Sequence, residues 1–187
     1  PPHLIAFWNV ENLFGPENHA PRIPWVANAV RRDLEGWTEA LYNTKLDQLA
    51  RVITAMNGGA GPDILGVCEV EDAFVLRDLV GRVDAGTGRK YDVVHANNDR
   101  DRRGIDTAFV YDTARYTVDT RTLFNHFVIP RTRTPHTPQA TFRTPEGRHP
   151  VSPVNHLPSR AGGAAQSAAF RPAAPATPAP LSRRIPR

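Results

Sequence analysis

The sequence has little cysteine: Cys68 is the only one, so no disulfide can form within the chain. This excludes a small secreted scaffold held together by disulfides. Long hydrophobic runs are also lacking, and none is long enough to span a bilayer. No signal peptide is visible, but the first residue is Pro1 and not Met, so the sequence does not exclude an export signal before Pro1. We expect a soluble protein, cytoplasmic or exported.

Several motifs with strong chemical meaning are missing. The chain has no phosphate-binding loop, no dinucleotide-binding glycine pattern and no nucleophile elbow. Its seven histidines show no zinc-type spacing. Any catalytic role therefore rests on less conspicuous residues.

Acidic residues are absent from the last forty positions. Residues 1–147 carry 17 basic and 19 acidic side chains, a net charge of −2, whereas residues 148–187 carry six arginines and no acid. The high pI of about 9.7 is therefore a property of the tail, and it is weak support for a nucleic-acid-binding face on the folded part. From Pro172 the chain is rich in Pro, Ala and Arg and lacks periodicity, which predicts disorder over 172–187.

Apolar periodicity predicts an α/β protein. Residues 3–9 and 63–70 are apolar on both faces, which is typical of central strands covered on both sides. Helical spacing predicts a helix over 38–56, ended by Gly58-Gly59, and a second helix over 71–79. The order β-α-β-α-β, followed by a meander, indicates at least one mixed sheet. The other expected elements are a long loop with a short helical piece over 15–37, strands over 91–95 and 105–112, one or two strands within 115–129, and weaker strands over 138–143 and 151–155.

Polar side chains end the first two predicted strands. Asn9 closes the first strand and Glu69 closes the second. If the strands are adjacent and parallel, both residues lie at one edge of the sheet, where ligand sites of such sheets gather. Amide and carboxylate oxygens are hard ligands that suit Mg²⁺ or Mn²⁺. The alternatives are that Asn9 is a turn residue and that Glu69 only favours the start of the following helix.

Two later segments add groups that could contact a phosphate. Arg103 lies in a polar loop before the fourth predicted strand, and arginine forks suit phosphate oxygens. Asp106 stands inside that apolar strand, so it is either a structural hydrogen-bonding residue or part of a site. Asn155 and His156 follow the last predicted strand, where the histidine could bind or protonate a phosphate oxygen. Taken alone, the loops that carry Arg103 and His156 are better explained as solvated turns.

Five segments in this order resemble one family. FWNVENLF, NTKLDQLARVI, PDILGVCEVED, NNDRDRRGIDTAFVYD and VNHLPSRAGG together resemble the endonuclease/exonuclease/phosphatase superfamily, which has the deoxyribonuclease-I-like fold. The resemblance runs from about His3 to about Arg171 and is strongest to bacterial members. It implies a four-layer α/β sandwich, in which two mixed β-sheets stack face to face with helices outside. It also implies a protein of the bacterial cytoplasm or one exported from it.

The resemblance also implies roles for individual residues. Glu69 is the expected metal carboxylate, with Mg²⁺ or Mn²⁺ as the ion, and Asn9 is expected both as a second metal ligand and as a catalytic residue at the phosphate. The remaining expected site residues are Arg103 and Asn155 for phosphate binding, His156 as the other catalytic residue, on the scissile phosphate, and Asp106 beside the site.

The sequence departs from the family pattern towards its end. The Gly-Asp-Phe-Asn and Ser-Asp-His segments, which supply further site residues and the Asp-His pair that activates water, are absent, and Leu157 stands where near relatives carry Trp. These departures predict a C-terminally truncated member, with a partial domain over 1–171 and a second sheet left incomplete, begun only by residues near 138–143 and 151–155.

The sequence therefore predicts a metal-dependent phosphoesterase that hydrolyses phosphodiesters by in-line attack of water, most consistent with a nuclease and impaired in this chain. The expected partner is nucleic acid or another phosphoester substrate, and no obligate protein partner can be inferred. One alternative is a phosphatase or lipid phosphodiesterase of the same superfamily. The alternative of another class is a non-catalytic remnant that binds a metal ion or phosphate.

Overall fold

A computed structural model describes residues 3–19, 22–96, 104–127, 136–147 and 151–153. The chain divides into two compact units, Pro1–Tyr116 and Thr117–Arg187. Within the described residues, no helix has the length and apolar character needed to cross a membrane.

The first unit contains a four-stranded mixed sheet. Its strands are β1 (Ile5–Leu13), β2 (Ile64–Val70), β3 (Tyr91–Ala96) and β4 (Asp106–Asp112), arranged in the order β1-β2-β4-β3. β1 pairs with β2 in parallel, and β4 is antiparallel to both β2 and β3. This confirms the predicted α/β class with a mixed sheet.

The prediction that β1 is a central strand is wrong for this sheet. β1 is the edge strand among the described strands, and Ile5 and Phe7 are each 51% exposed on one of its faces. An apolar run on both faces indicates burial only when a neighbour covers each side. β2 and β4 fit that rule, since almost every side chain along them is buried.

Two helices cover the other face of this sheet. They are α2 (Glu39–Ala55) and α3 (Ala73–Thr87), and Thr38 begins α2 by accepting a hydrogen bond from the N–H of Leu41. Their apolar stripes pack on the sheet in one core, and Tyr42 Oη donates to Asp78 Oδ2 at 2.8 Å between the helices. A short helix, α1 (Pro24–Val30), lies in the stretch predicted to be a long loop with a helical piece.

The second helix begins later than predicted. Asp72 is its N-cap and accepts a hydrogen bond from the N–H of Ala73, so Glu71 lies before the helix. Glu71 is instead buried against Arg22. Two adjacent acids look alike in sequence, and only the backbone conformation decides which of them caps the helix.

The second unit is built around one strand. β7 (His136–Arg143) pairs antiparallel with β5 (Thr117–Val118), β6 (Phe124–Phe127) and β8 (Val151–Pro153). The sheet thus includes β5 and β6 in addition to the two strands expected to begin it. Residues 172–187, predicted to be disordered, lie outside the described residues.

Candidate functional site

The parallel pairing of β1 with β2 brings two predicted site residues onto neighbouring strands of the first sheet. Asn9 is paired with Cys68, the residue before Glu69, in the parallel register. Asn9 is exposed and Glu69 is half-buried. The two residues therefore lie on neighbouring strands. β1 continues past Asn9 to Leu13, so the prediction that Asn9 closes the first strand is wrong.

The backbone at this edge is unusual. Four non-glycine residues in the described part of the chain have positive φ, and three of them lie here: Glu11 at 55°, Asn12 at 57° and Glu69 at 65°. The register also shifts between Asn9 and Leu13, as in a β-bulge. Residues other than glycine adopt this left-handed backbone conformation at a cost in free energy, and such residues concentrate at functional sites.

Asn9 has a defined local contact. Its Oδ1 accepts a hydrogen bond from the N–H of Glu11 at 2.8 Å, which is the turn role considered as an alternative for this residue. A carbonyl oxygen has two lone pairs, and the side-chain NH₂ offers two donors. The turn contact fixes the orientation of the amide and leaves it capacity for a ligand.

Lys45, on α2, is a residue that the sequence analysis missed. Its Nζ donates to the backbone carbonyl of Glu11 and, at 3.3 Å, to that of Asn12. Burial lowers the pKa of Lys45 below its ordinary value, although the negative charges of Glu11 and Glu69 favour the protonated form. Lys45 thus contributes a positive charge beside the candidate metal carboxylate.

Glu71 forms a second polar cluster two residues beyond Glu69. Its Oε2 accepts from the N–H of Gly15 at 2.8 Å and from Arg22 Nη2 at 3.0 Å, and both charged side chains are almost fully buried. Because its carboxylate is used to tie the segment after β1 to the end of β2, Glu71 has a structural role that its position in the motif does not reveal.

Asp106 lies at the same edge of the sheet, opposite Val70, but on the other face from Asn9. Asp106 is two and four residues before Ala108 and Val110, so it shares their face, which belongs to the core under the helices. Asn9 is next to the core residue Val10 and therefore lies on the opposite face. His95 Nε2 is 2.9 Å from Asp106 Oδ2, within ion-pair distance but without hydrogen-bond geometry. The pair lines a cavity of about 90 Å³ together with Arg22, Trp25, Glu71 and Phe74.

The other predicted site residues, Arg103, Asn155 and His156, lie outside the described residues. Across the described ranges, no group of three or more His, Cys, Asp or Glu side chains is placed to hold a metal ion. Any metal site among the described residues would therefore have few protein ligands.

A family model described as Endonuclease/Exonuclease/phosphatase family matches residues 4–184. The chain belongs to this family. The match extends past Arg171, near which the recognisable motifs of the sequence end. As a member of the endonuclease/exonuclease/phosphatase family, the protein belongs to a superfamily of hydrolases of the phosphoesterase and nuclease type.

One similar solved structure is that of the human Nocturnin catalytic domain with bound sulfate anion. The two share 16% identity with a TM-score of 0.42, over 81% of this chain and 50% of the Nocturnin domain. The chain of this family member thus spans about half the length of that domain. A search of curated protein sequences found no match.

Proposed function

We propose that this protein is a metal-dependent phosphodiesterase of the nuclease type. The observation that supports this most is the pairing of Asn9 with Cys68, the residue before Glu69, on the neighbouring strand. The left-handed backbone at Glu69 and at the turn after Asn9 adds to it, because strained residues are retained where function requires them.

The donor set fits a hard divalent cation. Mg²⁺ prefers oxygen ligands and commonly binds through only one or two carboxylates, with water and substrate phosphate completing its shell. Glu69 would hold the ion and Asn9 would be its second protein ligand. A bound ion would supply positive charge to the phosphate and to the leaving oxygen.

The chain's own residues would orient the substrate around this edge. The Asn9 amide is held by the N–H of Glu11 and keeps donors for a phosphate oxygen. Arg103, Asn155 and His156 would contact the phosphate, as the family resemblance implies.

The first test is metal binding. Mn²⁺ affinity, measured by electron paramagnetic resonance of the free ion, is expected to fall at least about tenfold in Glu69→Gln, since even indirect changes at metal sites have effects of that size. Glu35→Gln is the matched control, because Glu35 is exposed and lies in the loop before α2. Equal Mn²⁺ affinity in both variants would contradict the metal role of Glu69.

The second test is the substrate. Single-stranded and duplex DNA, RNA, a phosphomonoester and a phospholipid are each offered with Mg²⁺ or Mn²⁺. Cleavage of a nucleic acid that is lost in Glu69→Gln supports the nuclease assignment. Preference for the monoester or the lipid would instead identify a phosphatase or lipid phosphodiesterase, and Mn²⁺ binding without any turnover would identify the non-catalytic alternative.

A further inference from the structure

Lysine is rare in this protein, and one of its two lysines contacts the segment that follows Asn9. The chain has 23 basic residues, of which only Lys45 and Lys90 are lysines. Lys45 reaches from α2 across to the end of β1, where it donates to the carbonyls of Glu11 and Asn12. These are the two consecutive left-handed residues of the turn after Asn9.

An ammonium group suits this position. Lysine is a compact point charge with three rotatable donors, whereas the arginine guanidinium is a rigid planar fork matched to carboxylates and phosphates. Two backbone carbonyls converge on a single nitrogen here. Their bonds to Lys45 offset the cost of holding two successive side-chain-bearing residues at positive φ.

The contacts continue from this turn to the site. The N–H of Glu11 donates to Asn9 Oδ1, so the conformation that Lys45 stabilises also sets the direction of the Asn9 amide. We propose that Lys45 is a positioning residue for the Asn9–Glu69 metal and phosphate site, an inference that rests on the function proposed above. Lys45 acts by stabilising the turn and does not itself bind the metal or the phosphate.

A bystander role makes the opposite prediction for metal affinity. Lys45 is close enough to Glu69 for their charges to interact. If Lys45 contributed only its charge, removing it would relieve repulsion of an incoming cation and tighten metal binding. If Lys45 holds the turn, removing it weakens binding despite the lost repulsion. The sign of the change therefore separates the two roles.

The test compares Lys45→Met with Lys90→Met. Methionine keeps most of the apolar stem and removes the donor. Lys90 precedes β3 at the opposite edge of the sheet, and its side chain is 80% exposed. We expect Mn²⁺ affinity to fall about tenfold in Lys45→Met and to stay unchanged in Lys90→Met. Unchanged or tighter binding in Lys45→Met would overturn the proposal.

A second readout does not depend on metal. The side-chain NH₂ resonances of Asn9, identified through their loss in Asn9→Asp, are expected to shift in Lys45→Met and to stay in place in Lys90→Met. Thermal unfolding is recorded to confirm that both variants are folded. Shifted Asn9 signals in a wild-type protein that binds no Mn²⁺ would support the positioning role and overturn the proposed function. Mn²⁺ binding that requires Glu69, with Asn9 signals that do not change in Lys45→Met, would support the proposed function and overturn the positioning role.

Discussion

Asp63 is a fully buried carboxylate immediately before β2. It lies beside the amino-terminal ends of β1 and β2, away from Asn9 and Glu69. It accepts hydrogen bonds from the N–H of Leu4 at 2.7 Å, Arg89 Nη1 at 2.9 Å and Arg115 Nη1 at 2.7 Å. Burial acts to raise the pKa of Asp63, but the Leu4 N–H and the two guanidinium groups outweigh it and hold the pKa below its ordinary value.

Replacing Asp63 with Asn is expected to lower the free energy of unfolding at pH 7 by about 3 kcal/mol, because it leaves two partly buried guanidinium groups without their shared anion. A carboxylate with a lowered folded pKa stabilises the fold above its unfolded pKa of about 3.9, and this stabilisation is lost as the pH falls through the folded value. The difference between variant and wild type should thus narrow below about pH 4.

Denaturant unfolding at pH 7, 5 and 3 measures this difference. Asp47→Asn is the control, since Asp47 is 69% exposed in its ion pair with Arg82, and such pairs contribute about 0–1 kcal/mol. A loss for Asp63→Asn that stays constant with pH would show that shape, and not charge, is responsible.

At the scale of residues, the sequence was informative where chemistry and strand position coincide. Asn9 and Glu69 were predicted to lie close together because each follows an apolar run. The parallel register pairs Asn9 with Cys68, the residue before Glu69, although β1 continues to Leu13. Lys45 could not be found in this way, because its bond to Glu11 joins residues 34 positions apart. Neither residue type nor spacing indicates such a contact.

At the scale of elements, α2 shows how an amphipathic helix is stabilised. Leu46 is fully buried in the core against the sheet, whereas Leu41 on the same helix is 49% exposed. Helix propensity is the same for both leucines, so any difference in their contribution comes from burial.

Leu46→Ala is expected to lower the free energy of unfolding by about 2–5 kcal/mol, through lost burial and the cavity left behind. Leu41→Ala should change it by less than about 0.5 kcal/mol. Urea denaturation of both variants measures the contrast. Similar losses would mean that Leu41 is covered in solution, in conflict with its exposure here.

The boundaries of the helices followed the sequence closely where capping chemistry was unambiguous, as at Thr38. They failed at Glu71, where two acids precede an apolar run and a long-range partner, Arg22, claims one of them. The edge position of β1 was missed for a related reason. The apolar pattern of a strand reports the character of its two faces, while strand order depends on pairing with segments that are distant in the sequence.

At the scale of the whole molecule, the division after Tyr116 has no linker signature in the sequence. The residues from Thr113 to Leu123 contain neither Pro nor Gly, which are the usual marks of a boundary. The expected single domain over 1–171 was inferred from motifs that span the division, and motifs report ancestry, not the compactness of each part. It stays a prediction, as do the roles of Arg103, Asn155 and His156.

The parallel pairing of β1 with β2 also has a consequence for the order of folding. It joins distant parts of the chain, as the bond between Leu4 and Asp63, 59 residues apart, shows. β3 and β4 instead form an antiparallel pair, in which the partners nearest in sequence are Ala96 and Thr107. Closing the longer loop costs roughly 1–2 kcal/mol more in chain entropy, so β1 is expected to dock late, and the Asn9–Glu69 edge to be completed only then.

Stopped-flow kinetics of two buried-valine variants tests this order. Val94→Ala, in β3, should mainly slow folding, whereas Val10→Ala, in β1, should mainly speed unfolding. Equal slowing of folding by both would place β1 in the transition state. If the expected result is found, β1, which carries Asn9, docks last during folding and detaches first during unfolding. The candidate site is then formed only in the fully folded protein.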